Sequence, residues 1–137
     1  MVRMDLSRII ITETSEQQII VLKEHDGQRA FPIVIGLYEA SAIDRGVKEI
    51  RAERPLTHDL VRNIIEALGA ELTRIIINDL RDNTFFARLV LTRNGKTVDV
   101  DSRPSDAIAL AVQRNTPIFV EEKVLDMVCP AEPEDQT

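Results

Sequence analysis

The sequence contains little of what several common protein classes need. It has one cysteine, Cys129, so a single chain cannot build a disulfide framework, and Cys129 has no partners at metal-ligand spacing. Aromatic residues make up 4% of the chain, with no tryptophan, which leaves few rings for stacking on bases. The five glycines form no phosphate-binding loop, and no apolar run approaches the roughly 18 residues of a membrane helix. These absences disfavour disulfide scaffolds, zinc clusters, P-loop proteins and membrane-spanning proteins.

Length and apolar content indicate one domain. A chain of 137 residues with 44% hydrophobic residues has the usual size and core content of a single domain, which we place at residues 1–128. Residues 129–137 are rich in proline and acid and are expected to form a disordered tail. The start of the sequence lacks the uninterrupted apolar stretch of a signal peptide, so we expect a cytoplasmic protein without membrane contact.

Negative charge is concentrated at the end of the sequence. The net charge is −6, but residues 121–137 hold six acids against one lysine, which leaves −1 for residues 1–120. The cations are thirteen arginines and four lysines, and a guanidinium group suits bidentate contacts with phosphate or carboxylate. We expect surface ion pairs and solubility to account for most of these arginines. The acidic balance therefore weakens the case for a polyanionic partner without excluding one.

The apolar pattern predicts an α+β fold built from two βββα units. Six β-type runs are predicted as strands: Val2–Thr12, Gln18–Lys23, Arg29–Ile35, Glu71–Leu80, Thr84–Arg93 and Lys96–Val100. A helix with apolar residues from Leu37 to Ile50 follows the third strand, and a mostly apolar, buried helix beginning near Pro104 follows the sixth. The turn signals Asp26-Gly27 and Asn94-Gly95 lie about 68 positions apart. We infer an internal duplication that forms a mixed, largely antiparallel sheet.

One helix is inserted between the two units. Thr57 is predicted to cap it and Gly69 to end it, with these residues pointing inward: Leu60, Val61, Ile64, Ile65 and Leu68. After the second unit, Pro117–Val120 is predicted as a short strand and Glu121–Val128 as a short helix. Pro32 indicates that the third strand lies at a sheet edge or is irregular at that residue, and a long edge of this kind favours a homo-oligomer.

A polar junction, Asp101 to Asp106, leads into the helix of the second unit. Pro104 suits the first helical turn, where free backbone N–H groups attract anions. Arg103 and Ser105 are candidate substrate-binding residues. Asp101 and Asp106 are candidate catalytic residues and ligands of Mg²⁺ or Mn²⁺, because these cations take hard carboxylate oxygens. Structural explanations fit as well: a serine cap, a first-turn acid matched to the helix dipole, and an Arg103–Asp101 ion pair.

A second polar junction, Arg54 to Asp59, leads into the inserted helix. Arg54 is a candidate substrate-binding residue, and His58, one of only two histidines, is a candidate catalytic residue because an imidazole can act as a general base or a metal ligand. Asp59 is a candidate catalytic residue, although helix capping also explains it. Adjacent helical residues point about 100° apart, so His58 and Asp59 are not expected to hold one ion together. Glu39, which the inferred duplication makes the counterpart of Asp106, is a further candidate catalytic residue and metal ligand, and the helix dipole again offers a structural explanation.

These segments resemble the bifunctional nuclease family, small bacterial and plant domains named for action on both DNA and RNA. The resemblance covers residues 1–128 and is carried by Ile35-Gly36, Glu39-Ala40, Ile43, Arg54 to Asp59, Phe85 to Ala87, Asp101 to Ala107, and Pro117 to Phe119. It implies an α+β fold with internal duplication and a phosphodiesterase-type activity. It carries no assignment of individual catalytic residues, so those roles rest on residue chemistry.

Two functions are consistent with the sequence. The first is a nuclease that hydrolyses phosphodiester bonds of DNA and RNA. In it Asp101, Asp106 and Glu39 hold a divalent cation, Arg103 neutralises the phosphate, and His58 handles a proton. The second is a non-enzymatic anion- or protein-binding regulatory module, which the weak basicity and few aromatic residues favour. Convergence of the polar side chains on one solvent-reachable site would favour the nuclease.

Overall fold

Seven strands and four helices make up residues 1–130, the part of the chain that the computed structural model describes. In chain order they are β1 (Val2–Ile10), β2 (Gln17–Glu24), β3 (Ala30–Gly36), α1 (Leu37–Val47), α2 (Thr57–Ala67), β4 (Glu71–Arg81), β5 (Thr84–Arg93), β6 (Lys96–Ser102), α3 (Pro104–Gln113), β7 (Ile118–Val120) and α4 (Glu122–Val128). The predicted tail lies outside the described residues, apart from Cys129 and Pro130. Within the described residues, no helix has the length and apolar character needed to cross a bilayer.

All seven strands form one sheet in the order β3-β2-β1-β7-β4-β5-β6. Neighbouring strands are antiparallel except β4 and β7, which run parallel. The predicted α+β class with a mixed, largely antiparallel sheet is therefore confirmed. The order βββα occurs twice along the chain, with α2 between the two occurrences. Descent of both from one ancestral unit remains a prediction.

Two local predictions, the tight turn at Asn94-Gly95 and the effect of Pro32 on its strand, agree with the structure. Asn94 and Gly95 both have positive φ angles, 51° and 75°, which is the backbone of the tight turn that joins β5 and β6. Pro32 lies in β3, which stands beside β2 at one end of the strand order of residues 1–130 and is an edge strand there. Proline is tolerated there because its missing N–H would otherwise face no partner.

The main core lies between one face of the sheet and the helices α1 and α3. Alternate residues of β2 and β3 face it, and five consecutive residues of α3, from Ala107 to Ala111, are buried. α3 is thus enclosed on several sides, as its apolar sequence predicts. α1 and α3 approach closely at Gly46, where an added Cβ would lie 2.8 Å from Val112 Cγ2. A glycine at this position lets the two helices pack in contact.

The first unit's helix is shorter than predicted. α1 ends at Val47, and Ile50, which the pattern placed on the helix, is 57% exposed beyond it. Glu49 has a positive φ of 57°, a left-handed conformation that cannot continue a right-handed helix. The backbone N–H of Ile50 instead reaches back to the carbonyl of Arg45. The helical spacing of apolar residues continues to Ile50, beyond the end of α1, so the spacing alone did not show where the helix stops.

The inserted helix differs most from its prediction. Thr57 is its first residue rather than its cap, because Leu56 holds the N-cap position. Leu60, Ile64 and Leu68, predicted to point inward, are 52%, 50% and 58% exposed. α2 contacts α3 through hydrogen bonds of its polar side chains, and of the residues predicted to point inward Ile65 is buried and Val61 is half-buried. Gly69 follows the helix with a φ of +75°, as the predicted end signal requires.

Candidate active site at the starts of three helices

The first turns of three helices lie within side-chain contact of one another. Glu39 stands three residues after the N-cap of α1, and Asp106 stands three residues after the N-cap of α3. His58 lies in the first turn of α2, and Arg103 is itself the N-cap residue of α3. We call these four side chains the Arg103 cluster. Hydrogen bonds join all four, so half of the eight predicted site residues come together.

Arg103 is the hub of the cluster. Its Nε donates to Asp106 Oδ2 at 2.8 Å, and its Nη2 donates to Glu39 Oε1 at 3.1 Å and to Asp106 Oδ1 at 3.2 Å. The hydrogen bond to Asp106 raises the pKa of Arg103. The side chain is 65% exposed, and within residues 1–130 its Nη1 has no hydrogen-bond partner. The alternative pairing of Arg103 with Asp101 is wrong, since Asp106 takes that place one helical turn further on.

His58 and Asp106 form a second pair in the same cluster. His58 Nε2 lies 2.9 Å from Asp106 Oδ1, and both side chains are mostly shielded from solvent. Burial opposes ionisation of Asp106, but hydrogen bonds from Arg103 and His58 outweigh it and lower the pKa of Asp106 below its ordinary value. An ionised carboxylate only accepts hydrogen bonds, so we assign the hydrogen to Nε2 of His58. The lone pair of the imidazole is then on Nδ1.

Glu39 reaches Arg103 because the residue before α1 is a glycine. An added Cβ on Gly36 would overlap Oε2 of Glu39, whose carboxylate folds back over the start of the helix. The φ of Gly36 is −79°, which any residue adopts, so space rather than backbone freedom explains the glycine. The Glu39 side chain is 19% exposed and faces Arg103. Gly36 thus contributes to the Arg103 cluster by leaving space for the Glu39 carboxylate.

Asp59 belongs to a different network. Its Oδ2 accepts the backbone N–H of Leu56 at 2.9 Å, which caps α2, and its Oδ1 accepts from Gln113 Nε2 at 3.0 Å. Gln113 Oε1 in turn accepts from Nε of Arg62 at 3.0 Å, and Arg62 Nη2 donates to the carbonyl of Leu110 near the end of α3. One oxygen of Asp59 therefore caps α2, and the other helps to hold α2 against α3. His58 and Asp59 point to different partners, as expected for neighbours in a helix.

The other three predicted site residues lie outside the cluster. Asp101 and Arg54 are exposed, and neither side chain makes a hydrogen bond or ion pair within residues 1–130. Ser105 is 7% exposed in the first turn of α3. Its burial leaves little of the residue accessible to a ligand, against the prediction that it binds substrate.

The predicted metal-ligand set is not assembled. No group of three His, Cys, Asp or Glu side chains in residues 1–130 is arranged to hold a metal ion. Glu39 and Asp106 are close enough to share one guanidinium, but Asp101, the third predicted ligand, makes no side-chain hydrogen bond or ion pair with the cluster within residues 1–130. The cluster therefore offers two hard-oxygen ligands rather than three.

Sequence reasoning missed three residues that build the site. Gly36 was recognised as the residue before the helix, but its role in making room for the Glu39 carboxylate depends on the conformation of that side chain. Arg62 did leave a signal, because it falls three and four residues after Asp59 and His58 and so shares their helix face. A charged residue on that face, among apolar neighbours, indicates a buried polar contact. Its partner Gln113 could not be found without knowing how α2 crosses α3.

The fold and the Arg103 cluster define a small α+β domain with acid–base groups and an exposed guanidinium at one surface. Residues 20–131 match the family model of the bifunctional nuclease domain. An uncharacterized protein of Mycobacterium tuberculosis (strain ATCC 25618 / H37Rv) is 43% identical over 117 residues, which are 85% of this chain and 70% of that protein. The chain belongs to the bifunctional nuclease domain family.

Plant proteins share the domain at lower identity. Bifunctional nuclease 2 of Oryza sativa subsp. japonica is 31% identical over 114 residues, 80% of this chain and 35% of that protein. Bifunctional nuclease 1 of Arabidopsis thaliana is 30% identical over 105 residues, 74% of this chain and 32% of that protein. The chain thus spans about a third of these plant relatives.

Proposed function

We propose that the chain hydrolyses phosphodiester bonds of DNA and RNA at the Arg103 cluster. The observation that carries this proposal is the His58 Nε2 to Asp106 Oδ1 hydrogen bond of 2.9 Å directly beside an exposed guanidinium. Membership of a family whose plant members are named bifunctional nucleases supports the same reaction class. A diester hydrolase needs a group that binds the phosphate and a group that moves a proton, and the cluster has one of each.

Arg103 is the proposed phosphate-binding group. Its Nε and Nη2 are held by two carboxylates, which fix the plane of the guanidinium and leave Nη1 for a ligand. A planar guanidinium held in this way loses little freedom when it binds a phosphate oxygen. Arg103 would also stabilise the negative charge that develops on that oxygen in the transition state.

His58 is the proposed general base. With its Nε2 hydrogen bonded to Asp106, its Nδ1 can accept a proton from the attacking water as the new P–O bond forms. The bond to the leaving oxygen then breaks, and that oxygen takes up a proton from solvent. Asp106 orients the imidazole and stabilises the imidazolium that forms. Asp59 would act as a positioning residue, because it fixes the start of the helix that carries His58.

A divalent cation, Mg²⁺ or Mn²⁺, is a further component of the proposal. With neutral His58, the formal charge of the cluster is −1, which opposes binding of an anionic diester. Glu39 and Asp106 are the residues that would hold the cation, and Mg²⁺ often uses only one or two carboxylates together with substrate oxygens. The cation would supply positive charge at the phosphate.

A non-enzymatic anion- or protein-binding module is the second candidate. One observation favours it: every member of the Arg103 cluster is already hydrogen bonded within the cluster. Such a network of hydrogen bonds also stabilises the packing of the first turns of α1, α2 and α3 against one another. Under this reading the purified protein shows no turnover with any metal ion, while an anionic ligand or protein partner raises its melting temperature.

The two histidines allow a matched experiment. His25 Nδ1 lies 2.8 Å from Asp5 Oδ2, so His25→Ala and His58→Ala each delete one histidine–aspartate pair. The substrates are single-stranded DNA and RNA oligonucleotides and the small diester bis(p-nitrophenyl) phosphate. We expect His58→Ala to lower kcat by at least about 100-fold, the usual contribution of a general base, and His25→Ala to leave it within about twofold. Equal activity of both variants and the unchanged protein would exclude His58 as the base.

Metal dependence is measured on the same substrates. We expect EDTA to abolish hydrolysis and Mg²⁺ or Mn²⁺ to restore it, with Glu39→Gln raising the metal concentration needed for half-maximal rate. Full activity in EDTA would remove the cation from the proposal. Absence of turnover under every metal condition would instead favour the non-enzymatic module.

A further inference from the structure

The outer side of α2 presents a row of large aliphatic side chains to solvent. Leu56, Leu60, Ile64 and Leu68 recur every four residues and are 42%, 52%, 50% and 58% exposed. Their spacing places them on one ridge that runs the length of the helix. We call these four residues the α2 ridge. Four such side chains on one short helix form a contiguous apolar surface, which on a folded domain usually marks an interaction site.

The same side of α2 is almost free of charge. From Leu56 to Leu68 the exposed polar positions are Thr57, Asn63 and Glu66, and Glu66 is ion-paired with Arg114 at 3.2 Å. Charged residues make up 29% of the whole chain, so this surface is depleted in them. Loss of charge around exposed aliphatic residues is typical of the centre of a protein–protein interface. A nucleic-acid surface would carry cations instead.

We infer that the α2 ridge is the interface with a second copy of this chain, packed about a two-fold axis near Leu60 and Ile64. A ridge of residues spaced by four is complementary to the groove beside an identical ridge, and two such helices cross at about −50°. A two-fold contact requires a surface that matches itself, and an uncharged aliphatic ridge does so without bringing like charges together.

Charges at the two ends of the ridge agree with this arrangement. With the two-fold axis perpendicular to α2, the two helices run antiparallel, so the start of one α2 lies beside the end of the other. Arg54 precedes the helix and Glu71 follows it; both are exposed, and neither is ion-paired within residues 1–130. Arg54 of each copy would therefore meet Glu71 of the other. The two contacts are equivalent by symmetry and lie at the rim of the interface.

The interface is small, and we expect a reversible dimer. A standard interface covers about 800 Å² on each partner with some 20–30 residues a side. The ridge and its flanks supply roughly half that number. Interface size alone does not set affinity, but a surface this small without aromatic or arginine anchors favours weak association, and we expect a dissociation constant on the order of micromolar. We prefer this surface to the β3 edge suggested by the sequence, because Pro32 interrupts the row of backbone donors that strand pairing would need.

Sedimentation of the full chain tests the inference without reference to nuclease activity. We expect the unchanged protein to shift from 15.5 kDa towards twice that mass between about 1 and 300 µM. Leu60→Glu with Ile64→Glu should raise the dissociation constant at least about 100-fold. The matched control is Val34→Glu with Met127→Glu, which changes two residues of similar exposure on other surfaces and should leave association unchanged. A monomer at about 300 µM, or equal association of the ridge variant, would overturn the inference.

A charge exchange provides a second test that leaves the apolar ridge intact. We expect Arg54→Glu alone to weaken the dimer about tenfold by placing two acids together, and Arg54→Glu with Glu71→Arg to restore it. Because both side chains are exposed, these changes do not disturb the monomer. Failure of the double exchange to restore association would exclude the antiparallel two-fold arrangement.

Discussion

Asp106→Asn is the sharpest perturbation of the Arg103 cluster, because it removes one charge and leaves the side-chain volume almost unchanged. Asp106 accepts hydrogen bonds from two groups, His58 at 2.9 Å and Arg103 at 2.8 and 3.2 Å. An asparagine has one acceptor oxygen and one donor nitrogen in the same place. Its nitrogen must therefore face Arg103 Nε, in the position of Oδ2, or both His58 Nε2 and Arg103 Nη2, in the position of Oδ1.

The expected loss of kcat in Asp106→Asn follows from the tautomer of His58. If the amide nitrogen of the new asparagine faces His58, Nε2 must become the acceptor, and the hydrogen moves to Nδ1. The imidazole then has no lone pair directed at water and cannot act as the base. Loss of a positioned base costs about 10²- to 10⁴-fold, and a carboxylate-to-amide change behind a catalytic histidine in a protease triad costs about 10⁴-fold. We expect kcat to fall within this range, which is about 3–5 kcal/mol of activation free energy.

Stability should change much less than activity. Hydrogen bonds to charged groups contribute about 1.5–3 kcal/mol each when buried, but Arg103 is largely exposed and water replaces part of what is lost. We therefore expect a loss of about 1–2 kcal/mol in the free energy of unfolding, which leaves a typical domain folded. Urea unfolding with an unchanged slope would show that the variant remains folded and differs only in stability.

The assay combines single-turnover cleavage of a labelled oligonucleotide with hydrolysis of bis(p-nitrophenyl) phosphate, for Asp106→Asn, His58→Ala and the double variant. Because the pair acts as one unit, the double variant should lose about as much as His58→Ala alone. Independent, multiplicative losses would show that His58 and Asp106 do not share a proton-handling role. A folded Asp106→Asn protein with kcat within about threefold of the unchanged protein would refute the reasoning altogether.

Three further predictions concern the surroundings of the cluster. Arg62→Ala leaves the carbonyl of Leu110 and Gln113 Oε1 without their donor, and should lower the free energy of unfolding by about 2–4 kcal/mol in urea. Gly36→Ala displaces the Glu39 carboxylate and should reduce activity while stability stays within about 1 kcal/mol. The pKa of Asp106 in the folded protein lies below its ordinary value of 3.8. The stability that the ionised Asp106 contributes is therefore fully present above pH 3.8 and is lost as the pH falls through the folded-state pKa. The stability difference between the unchanged protein and Asp106→Asn, measured in urea, should shrink over the same pH range.

Elements with a strong local signal could be predicted from the sequence. The alternation in Thr84–Arg93 gave the bounds of β5, and Asn94-Gly95 gave its turn, because a pleated strand and a left-handed two-residue turn each depend on adjacent residues alone. The buried nature of α3 was also visible, since its apolar residues leave almost no polar stripe. These features need no knowledge of how distant elements meet.

The inserted helix shows what periodicity leaves open. The spacing of Leu60, Ile64 and Leu68 identifies an apolar ridge, but it does not say whether the ridge meets the same chain or another molecule. Here His58, Asp59 and Arg62 face α3, and the ridge faces solvent. The side of α2 that faces α3 makes polar contacts with residues about 50 positions away, which local spacing cannot reveal.

The convergence of the site depended on sheet order. Polar residues at helix starts were visible in the sequence, but β7 lies between β1 and β4, and that placement sets the two halves of the sheet side by side. No local pattern in Ile118–Val120 indicates which strands it will join. The sequence therefore identified the members of the Arg103 cluster without showing that Asp101 and Arg54 are excluded from it.

Glu39 and Asp106 occupy the same position in their helices, three residues after the N-cap, and both accept hydrogen bonds from Arg103. The predicted duplication would explain this equivalence, but the cluster depends on where the two units differ. The first unit has Gly36 at the N-cap, which makes room for its own acid, and the second has Arg103 there. An arginine at both N-cap positions would fill the space that the Glu39 carboxylate occupies beside Gly36. A glycine at both positions would leave Glu39 and Asp106 without the shared guanidinium. Because His58 comes from the inserted helix, neither unit alone contains a cation, two carboxylates and a proton carrier, and the proposed chemistry requires both units and the helix between them.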